Sequence, residues 1–158
     1  MLSARVAGEQ DGAELSRLWR ESVAGLAGLR GGTTLAASLS ERYPFRDIPS
    51  ILLRPGRIVV LGCVDGVPVG LSYAELRRTG AERVLSLEVV FVEVEARRVG
   101  LADAMLGVLL EETSGWDVTA IDAPALPGDR ATKSFFESHG FRARLLVMRR
   151  SFDRPARS

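Results

Sequence analysis

The chain has one cysteine, one histidine and one lysine in 158 residues, and each scarcity excludes a class of protein. A single cysteine, Cys63, cannot build a disulfide framework. With Cys63 and His139 as the sole sulfur and imidazole ligands, a zinc site of the usual donors cannot be assembled. A Ser-His-Asp hydrolase would have to use His139. No window reaches the roughly 18 consecutive apolar residues of a membrane span, and Met1 to Gln10 has neither the basic start nor the apolar run of a signal peptide. No membrane partner is expected, and the expected location is cytoplasmic. Charge of one sign is also missing: 21 basic residues face 20 acidic ones, a net charge of +1. That balance argues against a dedicated nucleic-acid binder, although the arginine-rich stretch after Phe141 is the one basic tract that could make such a contact.

What is present is an ordinary apolar fraction, 46%, in a length that suits one globular domain. Met1 to Ala7 reads as a short strand. Asp11 with Glu14 reads as a capping box, opening a helix whose Leu15, Leu18, Trp19, Val23 and Leu26 form one face at the 3.6-residue period and which Gly31-Gly32 would end. Leu35 and Leu39 suggest a second short helix before a proline-broken stretch to Pro55. Arg57 to Val64 and Val67 to Leu76 are β-rich runs around Asp65-Gly66, a strong signal for a two-residue hairpin turn. A second turn at Thr79-Gly80 leads to Arg83–Val94, apolar at both parities and so expected to be a central strand covered on both faces. Gly100 to Thr113 has helical periodicity. A short strand at Asp117 to Ala123, a helix from Asp129 to His139 stopped by Gly140, and a last strand at Phe141 to Arg150 complete the order β-α-(α)-β-β-β-α-β-α-β.

The informative stretch is Leu87 to Leu106, LEVVFVEVEARRVGLADAML, where a strand turns into a helix that begins near Gly100. Gly100 and Ala102 let a ligand approach the backbone of the first turn. The amides there have no intrahelical partner and carry the positive end of the helix dipole, which suits a diphosphate, and Arg97 and Arg98 add charge. The same residues also serve close packing of helix on strand with solvated arginines.

This stretch resembles the cofactor motif of the GNAT superfamily of coenzyme A dependent N-acetyltransferases, V-x-P-x-x-[RQ]-x-x-G-x-[GA]. Val92, Arg97, Gly100 and Ala102 match it, and Val94 replaces the usual proline. Asp129 to Phe141, DRATKSFFESHGF, is similar to the family's N-x-x-A-x-x-F-Y-x-x-x-G-F segment. The resemblance implies a single-domain α/β fold of the α+β kind, with a mixed, mostly antiparallel central sheet flanked by helices, over residues 1–151, and a flexible tail at 152–158. It implies that main-chain amides from Arg98 through Val99, Gly100 and Leu101 to Ala102 hold the pyrophosphate of acetyl-CoA, with no metal, while strand backbone near Val92 pairs with the pantetheine arm. It allows a homodimer joined through C-terminal strands.

Glu88 is the candidate catalytic residue. An alkyl amine with a pKa near 10.4 is only about 0.04% neutral at pH 7, so a proton acceptor is useful. The L-E-x-x-[FY]-V arrangement at Leu87 to Val92 resembles the polyamine acetyltransferase branch, where a glutamate at this place is a proposed base. A carboxylate in an apolar strand has a raised pKa unless paired, and the competing role is an ion pair with Arg83 or Arg57. The family's thiolate-protonating tyrosine is replaced by Phe136, with Ser134 and Tyr73 the nearest substitute donors. The expected activity is transfer of an acetyl group from acetyl-CoA to a primary amine of a small molecule or peptide by direct attack in a ternary complex; the alternative is a non-catalytic acyl-CoA binding or sensing module. Leu29 to Pro55 and Leu76 to Arg83 are the expected acceptor-binding regions. Cys63 reads as a buried structural thiol, His139 as a helix-end residue, Trp19 as core and Trp116 as a turn residue.

Overall fold

The structure is a computed structural model and describes residues 1–153. The part of the expected flexible tail from residue 154 on lies outside the described residues. The elements in chain order are β1 (Leu2–Val6), α1 (Gly12–Ala24), α2 (Gly32–Arg42), α3 (Ile48–Leu52), β2 (Arg57–Val64), β3 (Val67–Thr79), β4 (Glu82–Val92), α4 (Leu101–Glu112), β5 (Ala120–Asp122) and α5 (Arg130–Ser138). The sheet runs β1-β2-β3-β4-β5, antiparallel throughout except for the parallel β4–β5 pair. The α/β class and the mixed, mostly antiparallel sheet flanked by helices are as the sequence predicts.

Local chemistry explains the boundaries. Asp65 and Gly66 both take positive φ, 50° and 83°, the backbone a two-residue hairpin turn with the strand twist requires. The Asp11–Glu14 capping box does not form. The Asp11 carboxylate instead takes two hydrogen bonds from the Arg5 guanidinium, at 2.7 and 2.9 Å, and one from the Gly8 amide, while Glu14 pairs with Arg17. A tertiary ion pair has captured the cap. Helix α1 also ends earlier than expected, at Ala24, where the Gly25 amide closes on the Glu21 carbonyl, and Leu26 lies in the following turn.

Strand alternation sends two apolar sets to opposite faces. Val59, Leu61, Leu71 and Tyr73 meet Leu15, Leu18, Trp19, Leu39, Ile48 and Leu52 of α1 to α3. Ile58, Val60, Ala74, Leu85 and Leu87 meet Met105, Leu106 and Leu109 of α4 and Phe136 of α5. Helix α4 lies close because Gly62 has no side chain: a Cβ there would stand 2.8 Å from Leu101 Cγ and 2.9 Å from Met105 Sδ. That close approach fixes the height of the α4 N-terminus above the sheet.

The expected final strand is the main correction. Phe141 to Arg150 follows the Gly140 stop, with its φ of 84°, but pairs with no strand. Leu145, Leu146, Val147 and Met148 are 77–89% exposed, and the Arg149 guanidinium reaches Thr34 Oγ1 at 2.7 Å. The run Leu145 to Met148 is apolar at both parities, so it needs cover on two faces, and the described residues supply it on neither.

Candidate active site

Strands β4 and β5 pair only over Val84–Ser86 and Ala120–Asp122. Beyond Ser86 the β4 edge has no neighbouring strand, and Leu87 to Val92 line a cleft of about 580 Å³ between the α1–α2 side and α4–α5. A bulge marks the place where the strands part. Tyr73 is opposite Val89 and Ala74 is opposite Leu87, leaving Glu88 as the extra residue of β4. An extra residue bends its strand and re-aims its side chains. Glu88 shares a face with Ser86 at the strand period of two, and the Ser86 hydroxyl donates to Glu88 Oε1 at 2.7 Å.

At its end β4 passes through a short 3-10 turn, Val94–Ala96, into the loop Arg97 to Gly100. Arg98 has φ of 64° and Gly100 has φ of 86°, so left-handed residues alternate just before α4. Successive amides in such a segment converge into a concave anion-binding surface. No side chain caps α4, and its first-turn amides are left for a ligand. A Cβ on Gly100 would meet nothing within 4 Å, so the backbone conformation is what calls for glycine here. The Arg97 guanidinium folds back and donates from Nε to the Val92 carbonyl at 2.8 Å, bracing the turn. The preceding Glu93 is tied to Arg17 of α1.

Most of the predicted site residues come together in this cleft: Glu88, Val92, Arg97, Arg98, Gly100, Leu101 and Ala102. The Val99 side chain instead lies beside Met1 and Leu2 in a separate shallow hollow. Free strand edge, converging amides, an uncapped helix start and small residues at Gly100 and Ala102 together fit an elongated ligand with amides along its arm and a diphosphate at its end. They fit acyl-coenzyme A.

Glu88 is 8% exposed, but it is paired. Arg42 Nη1 lies 3.1 Å from its Oε2, and Arg77 Nη2 lies 2.6 Å from its Oε1. The partners named from sequence, Arg83 and Arg57, are elsewhere: Arg83 donates to the Trp116 carbonyl, and Arg57 Nε stands 3.6 Å from Glu75. Arg77 also bridges to Glu75 at 2.8 Å, joining the two carboxylates into one network. Arg42 and Arg77 fall in the expected acceptor-binding regions, but sequence reasoning named neither as a partner of Glu88 and did not single out Glu75. A signal exists, since Arg42 extends the Leu35–Leu39 face of α2 by three residues, and Glu75 and Arg77 continue the face of Tyr73 at strand period two.

Phe136 lines the cleft with Phe135, and neither substitute donor reaches it. Ser134 is exposed on α5, while Tyr73 is buried and donates to Glu75. Cys63 is a free, buried thiol and Trp19 is core, as expected. Trp116 is half-buried against the α4-side core. His139 Nε2 lies 2.7 Å from Asp103 Oδ1, linking the end of α5 to the first turn of α4.

The fold and this cleft define one architecture, a mixed sheet that splays open between β4 and β5. Solved structures carry the comparison further. An aminoglycoside acetyltransferase from an uncultured soil metagenomic sample matches with a TM-score of 0.69 at 13% identity, over 96% of this chain and 95% of its own. A ribosomal-protein-alanine N-acetyltransferase from Brucella melitensis biovar Abortus matches with a TM-score of 0.63 at 17% identity, over 96% and 100%. A transcriptional regulator from Bacillus halodurans matches with a TM-score of 0.70 at 17% identity, over 96% and 100%. No protein-family model matches the sequence, and a search of curated proteins finds no match. The chain has the fold of the GNAT acetyltransferases that its motifs resemble.

Proposed function

We propose that this chain is an N-acetyltransferase that moves an acetyl group from acetyl-CoA to a primary amine by direct attack in a ternary complex. The observation that carries the reading is the open β4 edge, Leu87 to Val92, running directly into the left-handed loop and uncapped start of α4. The amides from Arg98 to Ala102 hold the diphosphate, and the β4 edge orders the pantetheine arm. The donor supplies the activated acyl carbon. The amine nitrogen bonds to that carbon, the carbon–sulfur bond breaks, and the amine proton passes to Glu88 or to water beside it. The sulfur leaves as thiolate. A thiol of pKa about 8.5 is a tolerable leaving group, so the missing tyrosine slows rather than prevents transfer, general acid catalysis being worth about 10²- to 10⁴-fold.

The deciding experiment is thiol release from acetyl-CoA over a panel of amines, with controls that contain no acceptor. Acceptor-dependent release supports the transferase. The second reading, a non-catalytic acyl-CoA binding or sensing module, is favoured by Phe136 and by the absence of any tyrosine among the cleft-lining residues described. Tight coenzyme A binding with no release from any amine would select it.

We also propose a homodimer. The Leu145 to Met148 run is uncovered, and β5 has no neighbour on its outer edge. A second copy related by a two-fold axis can cover both.

A further inference from the structure

We propose that the acceptor is a primary amine on an apolar body, an alkyl or arylalkyl amine, seated against a leucine wall on the α1–α2 side of the cleft. This inference rests on the transferase reading and names the substrate class of the same site. Strand β4 divides the cleft: the loop from Arg97 to Ala102 belongs to the α4 side, and the opposite side is formed by Leu26 and Leu29 of the α1–α2 connection, Leu35 and Leu39 of α2, and Phe91 of β4. Leu26, Leu29 and Leu35 are half-buried and line the hollow; Leu26 and Leu35 pack on the core with part of their surface and leave the rest uncovered. Filling such surface with hydrocarbon is favourable and roughly proportional to the area covered.

Charge points the same way. The carboxylates that line the cleft each have partners: Glu88 has Arg42, Arg77 and the Ser86 hydroxyl, Asp103 has His139, and Asp129 has the Thr132 amide. The several ammonium groups of a polyamine or an aminoglycoside would have to compete with those partners on being desolvated. An apolar body with a single amino group has one ammonium to deprotonate or desolvate rather than several. The recess also meets solvent at Gly25, which is exposed, and beside Leu29, which gives a free amine its own approach apart from the donor.

The test measures initial rates of thiol release for propylamine, butylamine, pentylamine, hexylamine and phenethylamine against spermidine and kanamycin. Calorimetry measures binding of the same amines to the protein saturated with coenzyme A. The expected result is a rise in kcat/KM and in affinity of about fourfold per methylene, the factor for burying one CH₂. Leu35→Asn flattens that slope, and Leu29→Asn, on the connection, gives the same reading if the α2 variant fails to fold. A methylene slope in binding without turnover upholds the apolar site while removing the transferase reading. Turnover with a flat slope, a preference for spermidine or kanamycin, or unchanged slopes in both variants overturns the inference while the transferase reading stands. A preference for hexanoyl-CoA over acetyl-CoA with a flat amine slope also overturns it, by giving the leucines to the acyl chain. Absence of any amine binding or turnover overturns both.

Discussion

The Tyr73 hydroxyl donates a 2.6 Å hydrogen bond to Glu75 Oε2, two residues along the same face of β3, and the Tyr43 hydroxyl donates to the same oxygen at 2.8 Å. The two phenol rings and Trp19 meet edge to face at centroid distances of 5.3 to 5.7 Å. Buried polar groups are costly unless satisfied, and here one carboxylate satisfies two phenols while Arg77 and Arg57 balance its charge. Tyr73→Phe removes one donor and leaves the ring, so it should cost about 1–2 kcal/mol. A thermal melt that drops by about 2–8 °C meets this expectation, at roughly 2–4 °C per kcal/mol for a domain of this size. An unchanged melt would show that Tyr43 and Arg77 suffice.

The same network sets a pH window for stability. Burial alone would push the Glu75 carboxyl up, but hydrogen bonds from Tyr73, Tyr43 and Arg77 outweigh it and hold it below its ordinary value; the Asp11 carboxyl is held down by the hydrogen bonds from Arg5. A depressed folded pKa gives stability that is complete above the unfolded value, near 4, and is lost as pH falls through the folded one. Tyr73 and Tyr43 go the other way. Burial, then the hydrogen bond to Glu75, raises both, so their contribution is complete below about pH 10 and is lost as pH rises through the folded values. Melting temperatures should therefore be flat from about pH 5 to 9 and fall on both sides. In Tyr73→Phe the acid fall should be smaller, because losing this donor moves the folded Glu75 value up toward the unfolded one, and an acid limb as deep as wild type would contradict the role given to this hydrogen bond.

Gly100→Ala tests the loop before α4 by conformation alone. The added Cβ has open space, so any effect comes from a φ of 86° that alanine avoids, at a cost of about 1–2 kcal/mol. If the amides from Arg98 to Ala102 hold the diphosphate, relaxing that φ turns them away, and calorimetry should show coenzyme A binding weakened by about tenfold, as 1.4 kcal/mol implies. A melt lowered as expected with affinity untouched would place the diphosphate elsewhere.

The sequence-level reading succeeded where periodicity or turn chemistry acts over short distances. Val59/Leu61 against Ile58/Val60, the Asp65-Gly66 turn and the Gly140 stop each follow from residues within a few positions. It failed where a distant partner decides. Asp11 looks like a cap until Arg5 of β1 takes its carboxylate, and Glu88 looks like a lone acid until Arg42 and Arg77 arrive from α2 and β3. Phe141 to Arg150 is strand-like in composition, but strand formation needs a neighbour, and composition does not supply one. The strand, turn and helix from Leu87 to Leu106 were legible because they are one contiguous segment. Leu29 to Pro55 was legible as a region, but not which of its side chains meet the cleft, because Leu29, Leu35 and Leu39 meet β4 only in the folded chain.

Glu88→Gln separates proton transfer from positioning. Glutamine keeps the shape and can still accept from Ser86 and Arg77, but it cannot take up a proton. With an accepted amine, loss of a base should lower kcat by about 10²- to 10⁴-fold and remove the acid limb of the pH–rate profile. A modest loss with an unaltered profile would assign Glu88 to holding Arg42 and Arg77 in place.

The proposed dimer predicts a self-association that the C-terminal run controls. Leu145, Leu146, Val147 and Met148 are consecutive, and all four are more than three-quarters exposed in one chain. Soluble chains rarely leave so many large apolar side chains together in water, and the outer edge of β5, unpaired among the described residues, is a template for pairing. Sedimentation velocity at micromolar concentration should give a dimer. Leu146→Arg, or ending the chain at Gly140, should give a monomer that still binds coenzyme A, since the loop from Arg97 to Ala102 lies on a different element. A wild-type monomer with slow amide exchange across 143–149 would mean that the run pairs with its own β5, and a wild-type monomer with fast exchange there would mean that it pairs with nothing; either result removes the dimer.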